Sequence, residues 1–585
     1  MINPGKRKNK QNIKEIIHNQ KTHRTDMEIA TVLNNYFTTI GKELANKYPT
    51  TKGYRKYMKH SNKNSFFLKA MSEQDVIDKI KNLSPKKAGG HDNITPKLLK
   101  EAIAEVSQQI THVINLSFKN AAVPKRLKIA KVIPCFKKKS KEESKKPSNY
   151  RPISLLSTIH KLLEKCMHEQ LMTFLEKNNI LFKYQFGFRR GYSTILALTE
   201  IIDQILNHLE ENDLVAGIYC DFSKAFDTVD HGILLDKLHH YGIRGHANKW
   251  FESYLSNRLQ YTYVNGTKSE CQDILYGVPQ GSVLGPLLFL VYTNDMQYCI
   301  TEEDCHLKLF ADDSNAFVIR NTYNELKNAI TQTLRDLIEW SELNKLTINY
   351  DKTCYTIFVK HGQTVPNYLN NIKIKQHTIK KEAATPFLGL IVDERLTWKE
   401  HLDSLNEKLL KITNSFKIIK HYIPDKAKYQ FYYAYIYSRI QYGIEVYGVA
   451  DKKYLKQIQI RQNRSLKVLF SKDFHTPTVV LHKDLSLLMV KDIHKLNILK
   501  FVYKHQISNL PEIFKTFFKN LASYHDYEIR DKSHLEARRN KNTYGEKCMQ
   551  SLGPSMWNSL PKHMKTKKTL KAFNRSVKQM IIADY

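Results

Sequence analysis

The decapeptide KLFADDSNAF, residues 308–317, sets two adjacent carboxylates, Asp312 and Asp313, inside an apolar run. Leu309, Phe310 and Ala311 precede the pair, and Ala316, Phe317, Val318 and Ile319 follow it. Neighbouring like charges in such a setting are costly unless a cation or hydrogen-bond donors offset them. Residues 305–320 therefore read as two core strands that turn at the Asp pair, with the carboxylates at the rim of the core.

A third carboxylate ends a similar run. Residues 214–221 (LVAGIYCD) are continuously apolar up to Asp221, the pattern of a buried strand. Carboxylates gathered from different strands are the hard oxygen donors that Mg2+ takes. Two such ions serve nucleotidyl transfer by activating a hydroxyl and stabilising a leaving pyrophosphate. Each acid also has a plainer reading: most Asp-Asp pairs lie in surface turns, and Asp221 can cap a helix that follows a strand.

Charge narrows the partners. The 585 residues exceed one ordinary core, so two to four domains are expected. The formal net charge of +35 points to a polyanion such as nucleic acid, with a membrane surface as the rival. The longest apolar run, 283–291, holds Gly285 and Pro286 and falls short of the about 20 residues that cross a bilayer. No membrane association is expected. The polar, basic N-terminus does not read as a secretory leader. The eight cysteines are scattered without a CxxC, against a disulfide framework or a zinc ribbon. An intracellular protein of the nucleus and/or cytoplasm, not secreted, is the expectation.

Periodicity predicts helices over 26–48, 72–83, 157–177 and 326–345, and strands at 130–135, 353–359 and 386–392. Asn265-Gly266 predicts a hairpin turn within 260–275. A helix is expected after VPQGS (278–282), with Pro286 in its first turn. Residues 1–25 read as a loose basic arm and 137–151 as a charged loop. Beyond 399 the pattern is helical and rich in Lys and Tyr.

FADD (310–313) resembles the aromatic-x-Asp-Asp box of reverse transcriptases. YCDFSKAFDTVDH (219–231) resembles their first catalytic box, and GVPQGSVLGPLLF (277–289) their Pro-Gln-Gly box. NYRPISLLS (149–157), QFGFRRGYST (185–194), LTINYDKT (346–353) and FLGLIVD (387–393) resemble the remaining boxes, in the family's order. Several are worded like the non-LTR retrotransposon branch, close to jockey-type elements. Residues 29–45 and 551–561 are similar to segments that flank the polymerase in those elements.

The resemblance implies an RNA-directed DNA polymerase that extends a primer 3′-hydroxyl with dNTPs on an RNA template. It implies an α+β right-hand fold with fingers, a palm built on an antiparallel sheet, and a helical thumb. The expected domains are a mainly helical N-terminal extension (1–116), fingers and palm (117–392), a thumb (393–450) and a basic helical C-terminal domain (451–585). Asp221, Asp312 and Asp313 would be the catalytic acids. With the Phe222 carbonyl they would hold two Mg2+ ions, or Mn2+. Arg151 and Lys137 (or Lys138) would grip the triphosphate, and Phe226 would exclude a ribose 2′-hydroxyl. Gln280 and Gly281 would lie under the nascent base pair, and Lys352 would protonate the leaving pyrophosphate. The bland alternatives are core packing for Phe226, a simple turn for Gln280 and Gly281, a solvated lysine for Lys352, and helix-face or capping roles for Asp227 and Asp230. The endonuclease domain usual in such elements is expected to be absent from this chain. An inactive or co-opted copy that binds nucleic acid without catalysis is the competing expectation.

Overall fold

The computed structural model of the chain describes residues 12–49, 51–137, 140, 142–521 and 533–585. Its centre is a six-stranded sheet in the order Asn371–Ile374, His377–Lys381, Cys354–Phe358, Leu214–Cys220, Asp313–Arg320, Cys305–Phe310. Neighbours run antiparallel except Cys354–Phe358 beside His377–Lys381, which is parallel.

Every residue of Leu214–Cys220 is buried, because this strand is covered on both faces. Successive side chains point to opposite faces of a strand. Leu214, Ala216, Ile218 and Cys220 accordingly join one core, with Ala316, Val318, Tyr355 and Ile357. Val215 and Tyr219 join the other, with Phe317, Ile319 and Phe358. The first core takes in Tyr323–Leu343 and much of the N-terminal third. The second takes in Thr194–Glu210 and the C-terminal helices Lys399–Ile419, Lys452–Leu469, Val490–Gln506, Met549–Asn558 and Leu570–Ala583.

A second sheet joins Tyr150–Leu155, Ile129–Phe136, Arg258–Val264 and Thr267–Lys268 in that order, with Gln272–Ile274 also on Arg258–Val264. Its hairpin turns at Asn265 and Gly266, both at positive φ, as the Asn-Gly pair requires. The helix Asp26–Ala45 starts at a Thr25/Glu28 capping box and packs on Arg258–Val264. Its buried Asn34 accepts from Gln260 Nε2 at 3.2 Å and from Thr262 Oγ1 at 3.1 Å. Pro286 is the third residue of Leu284–Thr293, where no backbone donor is lost.

Several expectations need correcting. Part of the arm expected to be loose is folded: Ile16–His18 pairs with Lys21–His23, and Ile16 is fully buried. The rest of that arm, 1–11, lies outside the described residues, as does Lys138. The 386–392 strand is half of a separate ribbon, Ala384–Phe387 with Leu390–Asp393. Asn371–Ile374 and His377–Lys381 carry too many polar residues for periodicity to reveal them. The helix Ile103–Lys119 runs through position 116, and its Ile110, Ile114 and Phe118 belong to the same core as the central sheet. Among the described residues, no helix is long and apolar enough to cross a membrane.

Candidate active site

Register brings the three acids together. Ser314 pairs with Cys220, so Asp313 and Asp221 are the next residues along neighbouring strands. Asp313 also pairs with Phe310, which leaves Ala311 and Asp312 as a two-residue turn. Ala311 takes the left-handed conformation (φ 58) although it is buried. That strain is held by Gln185, whose Oε1 accepts from Ala311 N at 3.1 Å and from Gly187 N at 2.9 Å. Any Cβ on Gly187 would overlap the Ala311 backbone. Phe186 N donates to Leu309 O at 2.8 Å and Leu309 N to Tyr184 O at 3.0 Å, so this segment extends the sheet edge.

The acids repel one another. Burial, Asp312 and Asp221 push Asp313 up to about 6. Burial and Asp221 raise Asp312, with Arg151 and Lys352 opposing. Both side chains still open to solvent. Lys352 Nζ lies 3.0 Å from Asp221 Oδ2, and Asn349 Nδ2 donates to the same oxygen at 3.2 Å. Asn349 N also donates to Asp221 O at 2.8 Å. Phe222 is buried and bridges to Ile348. Three mutually repelling carboxylates facing solvent are a donor set that fits a hard divalent cation. Among the described residues no three acidic, His or Cys side chains converge closely enough to hold an ion as they stand, and Lys352 supplies the positive charge at Asp221. A cleft of about 330 Å³ beside the acids is lined by Asp221, Asp313, Asn315, Lys352 and residues 385–388 of the ribbon, among others.

A cationic group stands opposite. Burial, Lys224, Arg151 and Lys352 hold Lys137 down to about 8. Lys224, itself at positive φ, donates to Tyr150 O at 3.4 Å. Arg151 is exposed on Tyr150–Leu155. Between these cations and the Pro-Gln-Gly turn sits Asp227, whose carboxyl is raised by burial and lowered by Lys224. Asp227 Oδ1 accepts from Gln280 Nε2 at 2.8 Å. Gln280 O accepts from Ser154 N at 2.8 Å, which ties this turn to the strand of Arg151. Gly281 (φ 116) leaves no room for a side chain: a Cβ would sit 2.8 Å from Ser154 O. Phe226 stacks on Phe289 at 4.6 Å between centroids and meets Phe188 edge-on at 6.4 Å.

Gln185, Asn349, Lys224 and Asp227 thus belong to the site, although the boxes alone gave them no contact. Tyr36, with Lys224 Nζ 5.5 Å from its ring centre, and Gly41, against the Asp227 carbonyl, bring the N-terminal helix to the same place. Both fall in the 29–45 resemblance, which gives neither a contact.

The acids and the cations form one electrostatic unit, since Arg151 and Lys352 act on both Asp312 and Lys137. Residues 137–392 of the chain match the family described as reverse transcriptase (RNA-dependent DNA polymerase). Within that class it is similar to a probable RNA-directed DNA polymerase from transposon BS of Drosophila melanogaster, 28% identical over 73% of this chain and 47% of that protein. It is also similar to a probable RNA-directed DNA polymerase from transposon X-element of the same species, 28% identical over 72% and 46%. The RNA-directed DNA polymerase from mobile element jockey is 26% identical over 72% and 46%. The chain spans about half the length of these relatives.

Proposed function

We propose that the chain is an RNA-directed DNA polymerase of a non-LTR retrotransposon, extending a DNA primer on an RNA template. The observation that carries this reading is the register that sets Asp221 beside Asp312 and Asp313, opposite Arg151, Lys137 and Lys224, inside a domain of this family. The six-stranded sheet is the palm. The sheet of Tyr150–Leu155, with the loop before it, is the fingers, within 117–392. Residues 393–450 are the thumb, 451–585 a basic C-terminal domain and 1–116 an N-terminal extension. An intracellular setting goes with substrates made there.

Asp221, Asp312, Asp313 and the Phe222 carbonyl would hold two Mg2+ ions, or Mn2+. When bound, these would supply Lewis-acid activation of the 3′-hydroxyl and charge stabilisation at the leaving pyrophosphate. Arg151 and Lys137 bind the triphosphate, the guanidinium by a two-pronged grip. Lys137, held down to about 8 by burial and its cationic neighbours, gains its full charge as the polyanion arrives. Phe226, fixed by Phe289, presents a rigid wall to the sugar. Gln280 and Gly281 form the floor of the base-pair site, with Asp227 fixing the Gln280 amide. In the transfer, the primer 3′-oxygen bonds to the α-phosphorus and the bond to the bridging oxygen breaks. The 3′-hydroxyl proton passes to solvent and Lys352 gives its proton to pyrophosphate. Lys352 is exposed and salt-bridged to Asp221, so it can turn from the acid to the leaving group.

The test is extension of primed poly(A) and heteropolymeric RNA with dNTPs and Mg2+, beside an Asp312→Ala control. Extension by the wild type alone is expected. Nucleic-acid binding by both with extension by neither would make this a non-catalytic copy.

A further inference from the structure

The helix Thr194–Glu210 is buried nearly all round, yet Glu200, Asp203, Asn207 and Glu210 recur on it at spacings that share one face. Buried polar groups need partners. Glu200 finds Lys308 Nζ at 2.6 Å, with both side chains inaccessible and the ammonium 3.4 Å from the centre of the Tyr184 ring. Lys308 lies on Cys305–Phe310, the strand that enters the acidic turn.

The other three are met by a segment more than three hundred residues later. Arg538 donates to both Asn207 Oδ1 and Glu210 Oε2. Lys541 N donates to Glu210 Oε1 at 2.6 Å, and Asn542 Nδ2 to Glu210 O at 3.0 Å. Cys548 Sγ lies 3.1 Å from Asn207 Oδ1, and Met549 N donates to Asp203 Oδ1. Gly545 packs so closely that a Cβ would overlap the Glu210 carboxylate. One polar stripe therefore links the C-terminal segment, through Glu200 and Lys308, to the strand that leads into the Asp312 turn.

We propose that residues 538–549 are a clasp that positions the acidic turn, with Arg538 as its main positioning residue, so that the polymerase centre is completed by a segment far outside the 137–392 match. This rests on the polymerase reading for its activity readout only. A guanidinium held two-pronged by a buried carboxylate and an amide fixes the helix rotationally, and the helix fixes Lys308.

The full chain is tested as wild type, Arg538→Ala, Arg538→Lys and the exposed neighbour Arg539→Ala. Single-turnover primer extension should slow by about tenfold in Arg538→Ala, the size seen when a group behind a metal ligand is lost. The Mg2+ concentration for half-maximal rate should rise by up to about tenfold by the same logic, while the fraction of active molecules stays unchanged. Arg538→Lys should recover much of the rate, and Arg539→Ala should match wild type. A reduced active fraction with unchanged rate constant and Mg2+ dependence would mean simple loss of folded protein and would overturn the clasp, as would no change at all. If the wild type extends no primer, Mn2+ binding followed by electron paramagnetic resonance decides. Weaker binding by Arg538→Ala supports the clasp, and equal binding overturns it, whatever becomes of the polymerase reading.

Discussion

Lys352 holds its ammonium 3.0 Å from Asp221 Oδ2, on the oxygen that Asn349 also contacts. The lysine is thus a built-in competitor for any cation at this acid. Lys352→Ala should lower kcat by about 100-fold through loss of a general acid, yet reduce the Mg2+ concentration needed for half-maximal rate. Asp221→Asn should lower extension by at least about 100-fold with no such gain. Steady-state extension across a Mg2+ titration separates the two, and a raised Mg2+ requirement in Lys352→Ala would contradict the competition.

Asp313 gives a pH dependence of known sign. Its carboxyl is raised from 3.8 to about 6 by burial, Asp312 and Asp221. A raised acid disfavours the fold when ionised, so its penalty is present above about pH 6, shrinks as pH falls through that value, and is gone below the unfolded pKa. Asp313→Asn should raise the Tm in EDTA at pH 8 by about 1–3 °C, and the gain should vanish near pH 4. Calorimetry at the two pH values checks this.

The same titration acts oppositely on activity. The acid must be ionised to take a cation, so the Mg2+ requirement of the wild type should climb as pH falls through about 6. Added Mg2+ should restore the rate. A rate at pH 5.5 that saturating Mg2+ leaves unrescued would place the controlling group elsewhere.

Phe226 is braced by Phe289 and Phe188, so the wall it presents cannot yield easily. Phe226→Ala should reduce discrimination between dNTP and rNTP by about 10- to 100-fold, read as the ratio of kcat/KM values. Phe289→Ala, which removes only the brace, should loosen discrimination less. Unchanged ratios in both would leave Phe226 a packing residue.

Gly41 packs its backbone against the Asp227 carbonyl with no room for a methyl group. Gly41→Ala should cost about 1–3 kcal/mol of stability as an overpacked contact. Because Asp227 holds the Gln280 amide, it should also raise the KM for dNTP. Denaturant unfolding and steady-state kinetics report the two effects.

The acids were legible in the sequence because the structure uses their local pattern directly. The apolar run before Asp221 is a strand buried on both faces, the apolar run after the Asp pair is its neighbour, and the run before the pair is the next strand out. The left-handed Ala311 was not legible, since its strain is held by Gln185 from another segment. Asn371–Ile374, at the sheet edge, and His377–Lys381 beside it were not legible because their exposed faces are polar. The helix Ile103–Lys119 joins the core of the central sheet through Ile110, Ile114 and Phe118, which no local composition change records. Asp203, Asn207 and Glu210 look like an ordinary solvated helix face. Only their distant partners show them to be covered.

Those partners set a timetable for the newborn chain. Glu210 must wait for Lys541, 331 residues further on, which takes roughly 20–60 s at ordinary rates of synthesis. Until then a helix at the heart of the molecule leaves Asp203 and Glu210 uncovered above an apolar underside. A chain whose translation stops early is left with those acids open, so early termination yields a protein that quality control can tell from the finished one.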